Sequence, residues 1–133
     1  MNRDNLVVIL AVPLMVVAVI AVGVVNVALA NHDRSLFEQK FGIKYPESEG
    51  ERQVARLKVV EKLSSLYGEV ATLQQERTVL VLRKKEGETD SVAVAKKEEE
   101  LQLSWESYRS HLYSAWNVGF RKEALSMPEN GIS

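Results

Sequence analysis

The sequence predicts an all-α protein: an N-terminal transmembrane helix followed by an antiparallel, coiled-coil-like helical hairpin. Three observations carry that expectation. Leu6 to Val25 is an unbroken apolar run, LVVILAVPLMVVAVIAVGVV, without one charged or polar side chain. Two later stretches place apolar residues on alternating steps of four and three, the spacing of a coiled-coil seam. Between those stretches, Glu86 to Asp90 carries the residue types that stop one helix and start the next.

The apolar run is an expected membrane span because a helix of that length rises about 30 Å, the thickness of the bilayer hydrocarbon. Hiding it in water would require a large core, and the roughly 100 remaining residues are too few and too charged to build one. Pro13 lies about two turns into the span, where it can kink a helix, and Gly23 and Asn26 mark its far end. Ala11, Leu14, Ala18, Ala21, Val25 and Ala28 follow steps of three and four. The alanines of that stripe, Ala11, Ala18, Ala21 and Ala28, are small enough to let a second helix approach closely; the alternative is that alanine is simply common in spans. Residues 1–30 thus read as the anchor. Ala28-Leu29-Ala30 is also a small-x-small triplet of the kind signal peptidase cleaves, so a removable signal peptide ending at Ala30 is the competing expectation.

Orientation is weakly encoded. Arg3 stands against Arg34, Lys40 and Lys44, a count that favours a cytoplasmic C-terminal part, whereas an N-terminal anchor ahead of a water-soluble domain commonly exports that domain. The exported arrangement is the one expected here.

Residues 31–47 read as a juxtamembrane linker. His32-Asp33 is a polar exit from the bilayer. Leu36, Phe37, Phe41 and Ile43 form a short apolar stub that continues the span, lies on the headgroups, or packs on the domain. Gly42 and Tyr45-Pro46 then interrupt helical geometry, since the residue before a proline is pushed out of the α region.

The hairpin is expected over 48–126. Ser48-Glu49-Gly50-Glu51 reads as a capping box, and Val59, Leu63, Leu66, Val70, Leu73 and Leu80 form the first seam, interrupted only by Arg77. Arg83, Lys84 and Lys85 suit the negative end of that helix and Gly87 its left-handed cap, so it should stop near Glu86. Thr89 or Asp90 can cap a second helix beginning near Ser91. Its seam is Leu101, Trp105, Tyr108, Leu112 and Ala115, with Trp116 and Phe120 extending the face. A turn near Glu88 pairs Leu73 with Trp105, Val70 with Tyr108, Leu66 with Leu112 and Leu63 with Ala115. The helix should end near Ser126, before Pro128, leaving 127–133 as a flexible tail.

Composition narrows the function classes. With 17 basic and 18 acidic residues the net charge is −1, so no global field draws nucleic acid, and no nucleic-acid partner is expected. Cysteine is absent, which excludes disulfides and thiolate metal sites. His32 and His111 are the only histidines, and they lie on different parts of the expected fold, so no metal or other cofactor is expected. Phosphate-cradling loops, nucleophile elbows and helical metalloprotease motifs are missing, and no catalytic residue is assigned.

The expected partners are the lipid bilayer and either a second copy or another membrane-associated helical protein. Two helices bury one stripe each, and Leu63, Leu66, Val70, Leu73, Trp105, Tyr108, Leu112 and Trp116 form a face that is core in one reading and a partner surface in the other. The expectation is a non-catalytic interaction or scaffolding subunit. The alternative is a processed, exported helical domain binding a small ligand in a cavity lined by Trp105, Tyr108 and Trp116.

Overall fold

A computed structural model describes residues 3–87 and 91–128. The turn assigned to Glu88, the cap assigned to Thr89 or Asp90, and the tail residues 129–133 lie outside the described residues. The described chain is all-helical: α1 (Arg3–Phe41), α2 (Glu49–Lys85), α3 (Ser91–Asn117) and α4 (Arg121–Leu125), with no strand among the described residues.

α1 contains the one described helix long and apolar enough to cross a membrane. Its large side chains between Val7 and Leu29 are 52 to 72% exposed, so none of the described residues covers them. That distinguishes the run from the buried core helix of a water-soluble protein. Pro13 sits inside the helix without ending it. The helix passes through Gly23 and Asn26, the expected far end of the span, and continues to Phe41. A lone glycine or asparagine in a helix costs only about 1 kcal/mol or less, and beyond them Phe37 is driven into the domain core, where it is completely buried. Gly42 terminates α1 with φ +66, its N–H donating to the Glu38 carbonyl at 2.9 Å. The Glu38 carboxylate then accepts from the Tyr45 N–H at 3.0 Å, shaping the turn into Pro46.

Ser48 caps α2 as its sequence context requires, accepting from the Glu51 N–H at 3.2 Å. The reciprocal half of the box is displaced by one residue: the Glu51 carboxylate accepts from the Glu47 N–H at 3.0 Å. α2 runs to Lys85, and Gly87 takes φ +80 with its N–H on the Lys84 carbonyl.

The second long helix is shorter than its apolar pattern implies. α3 stops at Asn117, not near Ser126, because Gly119 adopts φ +101. The Phe120 N–H reaches back to the Ala115 carbonyl at 2.9 Å and the Gly119 N–H to that of Trp116 at 3.2 Å, which together form a Schellman cap. Phe120 therefore does not extend the α3 face. It turns inward, 1% exposed, and starts the five-residue α4. Met127 packs on the core beyond α4, and the Tyr108 hydroxyl donates to the Pro128 carbonyl.

The core is concentrated at the α1 end of the domain. Phe37 from α1, Ala55, Val59, Leu63, Leu66 and Val70 from α2, Tyr108, Leu112 and Ala115 from α3, and Phe120 and Ala124 around α4 form one buried cluster.

Candidate functional site

The face assigned from the sequence divides into a covered half and an open half. Leu63, Leu66, Val70, Tyr108 and Leu112 are buried, whereas Leu73, Trp105 and Trp116 are only half-buried. For Leu73 and Trp105 the division follows the number of helices present; Trp116 lies at the base, on the side of α3 that carries Arg121. Around Leu63 and Leu112, α1 and α4 add Phe37, Phe120 and Ala124 to what α2 and α3 provide. From Leu73 onward α2 has no buried residue, although its seam continues through Leu80. Val79, Leu82, Val92 and Leu103 stand 46 to 75% exposed in that distal half. Val94 is the exception, buried in the first turn of α3; it lies one heptad before Leu101 and so continues that seam.

In the distal half, ion pairs cross between α2 and α3. Arg77 donates to the Glu98 carboxylate at 3.1 and 3.3 Å, and Lys97 bridges Glu76 at 2.9 Å and Glu100 at 3.0 Å. Those two carboxylates raise the Lys97 pKa above its ordinary value. Both ion-pair sites are substantially solvated, where such contacts contribute little to stability. The polar interruption at Arg77 is therefore a cross-helix contact.

The aromatic residues of α3 do not converge on one cavity. Tyr108 is fully buried, with its ring 5.6 Å from Tyr67 and 5.4 Å from Trp105. Trp105 shares a shallow groove with Val70, Gln74 and Leu101. Trp116 lies eleven residues on, about 16 Å along the helix, with the Arg121 guanidinium 5.5 Å from its ring.

A second cluster, not singled out from the sequence, lies where the domain meets α1. The Phe37 ring stacks on Phe120 at 5.2 Å and 8°, with Phe41 at 4.9 Å and Tyr45 edge-on at 6.2 Å. The turn between α3 and α4 is tied down by two long-range donors. The Tyr45 hydroxyl donates to the Val118 carbonyl at 3.2 Å and Arg52 Nη2 to that of Gly119 at 3.3 Å. Arg56 joins α2 to Glu123 of α4 at 3.4 Å. The only local hints of this cluster are the Phe37–Phe41 spacing and Gly119 beside an aromatic residue.

His111 belongs to the same region. Its Nδ1 lies 2.7 Å from the Ser107 carbonyl and its ring packs edge-on against Phe41 at 5.5 Å. Burial lowers its pKa below the usual 6.5, and Lys40 and Lys62 act in the same direction, against backbone contacts to Ser107 and Lys40 that favour the cation. The unfolded chain therefore takes up this proton first as pH falls. Stability contributed by neutral His111 is complete above the unfolded pKa and is lost as pH drops through the lowered folded one. We expect the melting temperature of the full chain in detergent to fall between about pH 7 and pH 5, and the His111→Gln variant to show a shallower fall over that window. An unchanged slope in the variant would remove His111 from the pH response.

No group of three or more potential metal ligands occurs among the described residues. His32 is exposed on α1. Ala18, Ala21 and Ala28 are exposed along α1 and Ala11 is half-exposed. No family model, curated protein or solved structure matches this chain.

Proposed function

We propose that the chain is a single-pass membrane protein whose α2 and α3 form an antiparallel hairpin, and that it serves as a non-catalytic interaction or scaffolding subunit. The observation that supports this reading most directly is the uneven covering of the two long helices. The chain supplies its own third and fourth helices at the base, and the distal half keeps an apolar seam with two helices only. Exposed apolar residues along one half of a domain favour a helical partner there. A second copy is the partner we favour, because the alanine stripe of α1 allows the spans to approach as well. The cross-helix ion pairs at Arg77–Glu98 and Glu76–Lys97 fit the antiparallel arrangement. Export of the domain, with the span retained, is the preferred orientation.

Light scattering of the full chain in detergent tests the proposal. A dimer or larger species is expected over a concentration series, and Leu82→Asp with Leu103→Asp should reduce it to a monomer of unchanged helicity. A wild-type monomer at every concentration would overturn self-association. The mass of the cellular protein tests the anchor: a mature N-terminus at Asn31 would replace this reading with the exported, ligand-binding domain.

A further inference from the structure

The base of the domain carries a cleft of about 460 Å³ that the aromatic core does not fill. Its wall is built from three places in the chain: Ala30 and Arg34 on α1, Tyr45 in the connection to α2, and Asn117, Gly119 and Arg121 at the α3–α4 turn. Two guanidinium groups face it, and each is backed by a ring. Arg34 lies 4.6 Å from the centre of Tyr45, and Arg121 lies 5.5 Å from that of Trp116. Stacking orients a guanidinium while leaving its edge donors available. Neither arginine forms an ion pair among the described residues.

Acceptors that could compete for the edge donors of the two arginines already have partners elsewhere. The Val118 carbonyl accepts from Tyr45 and the Gly119 carbonyl from Arg52. Those of Ala115 and Trp116 are closed by the cap of α3. Glu38 accepts from the Tyr45 N–H, and Glu123 is paired with Arg56. Asp33 is the remaining nearby acid, and it lies about 100° around the helix from Arg34.

Position along α1 identifies the source of the anion. The apolar stretch resumes after Asn26 with Val27, Ala28, Leu29 and Ala30, and Arg34 comes four residues later, about 6 Å beyond its end at the helical rise. The headgroup layer extends about 5–8 Å beyond the hydrocarbon on each side. The cleft therefore opens at headgroup level, where tryptophan, tyrosine and arginine are the side chains that suit the interface. We propose that the Arg34–Arg121 cleft binds the phosphate of an anionic phospholipid headgroup and thereby seats the base of the domain on the bilayer. The proposal rests on α1 being a membrane span.

The test uses the full-length chain. Flotation with phosphatidylcholine vesicles comes first, and failure to float would overturn the span itself. The detergent-solubilised chain is then titrated with phosphatidylglycerol or phosphatidylcholine and retained lipid is read by native mass spectrometry. One phosphatidylglycerol should be held roughly tenfold more tightly than phosphatidylcholine, as expected of charge-assisted arginine–phosphate bonds. Arg34→Gln with Arg121→Gln should abolish the preference, and Arg56→Gln should retain it. Arg121→Gln alone, at an exposed position, keeps the test decisive if the double variant fails to fold. Flotation without a preference, or a preference that survives Arg121→Gln unchanged, would overturn the cleft and leave the span standing. Displacement of the lipid by millimolar inorganic phosphate would overturn its assignment to a lipid.

Discussion

Replacing Phe37 with alanine should lower the melting temperature of the full chain in detergent by on the order of 10–20 °C, the largest effect expected of any single truncation. Phe37 is fully buried and touches three other aromatic rings. It is also the one fully buried side chain of α1 among the described residues. Phenylalanine-to-alanine changes in cores cost about 3–5 kcal/mol, against a total stability of about 5–15 kcal/mol for a domain. The cavity would open beside Phe120, so the α3–α4 turn should loosen with it. Proteolysis within 42–47 reports that release separately from global unfolding. Phe41→Leu, at a half-buried ring, should cost far less. A melting temperature unchanged in Phe37→Ala would show that α1 and the domain are not joined through this ring.

The second large effect is expected at Leu66 and Leu112. They are 8% and 3% exposed, in the part of α2 and α3 that four helices enclose. Aspartate at either position must be buried as an unpaired charge, become protonated, or unfold its surroundings; each outcome costs several kcal/mol. Circular dichroism of Leu66→Asp should show lost helicity at neutral pH with partial recovery in acid as the carboxyl is neutralised. Leu57→Asp is the control, because Leu57 is 74% exposed and a change there should alter stability by no more than about 0.5 kcal/mol. Full helicity in both Leu66→Asp and Leu112→Asp would remove this layer from the core.

Those layers are legible in the sequence because they depend on local periodicity. Val59, Leu63, Leu66 and Val70 repeat at the seam spacing and are buried, and the Ser48 cap, the Lys85 terminus and the Gly87 conformation follow from short-range chemistry. The base of the domain is less legible. Phe37 and Phe120 are 83 positions apart, and only folding reveals that their rings stack. The end of α3 is encoded locally by Gly119, but the apolar pattern continuing through Phe120 and Ala124 conceals it. Trp116 and Arg121 acquire a joint role only once that cap turns the chain. Arg34 looks like an ordinary flanking cation until Tyr45 is brought beneath it by the Glu38 contact. Periodicity therefore exposes the partnered stripe of α2 and α3, whereas the basal cleft depends on contacts between distant segments.

The unbroken passage of α1 from the apolar run to Phe41 makes the azimuth of the domain a function of residue count. Each residue added between Asn31 and Arg34 would turn everything above it by about 100° and raise it by about 1.5 Å. One added residue would aim the open seam in a new compass direction; four would bring it back to within about 40° of the original heading, roughly 6 Å higher. In the proposed membrane arrangement, the segment between bilayer and domain would set bearing as well as height. A twist of the proposed span would swing the distal half of α2 and α3 through the same angle.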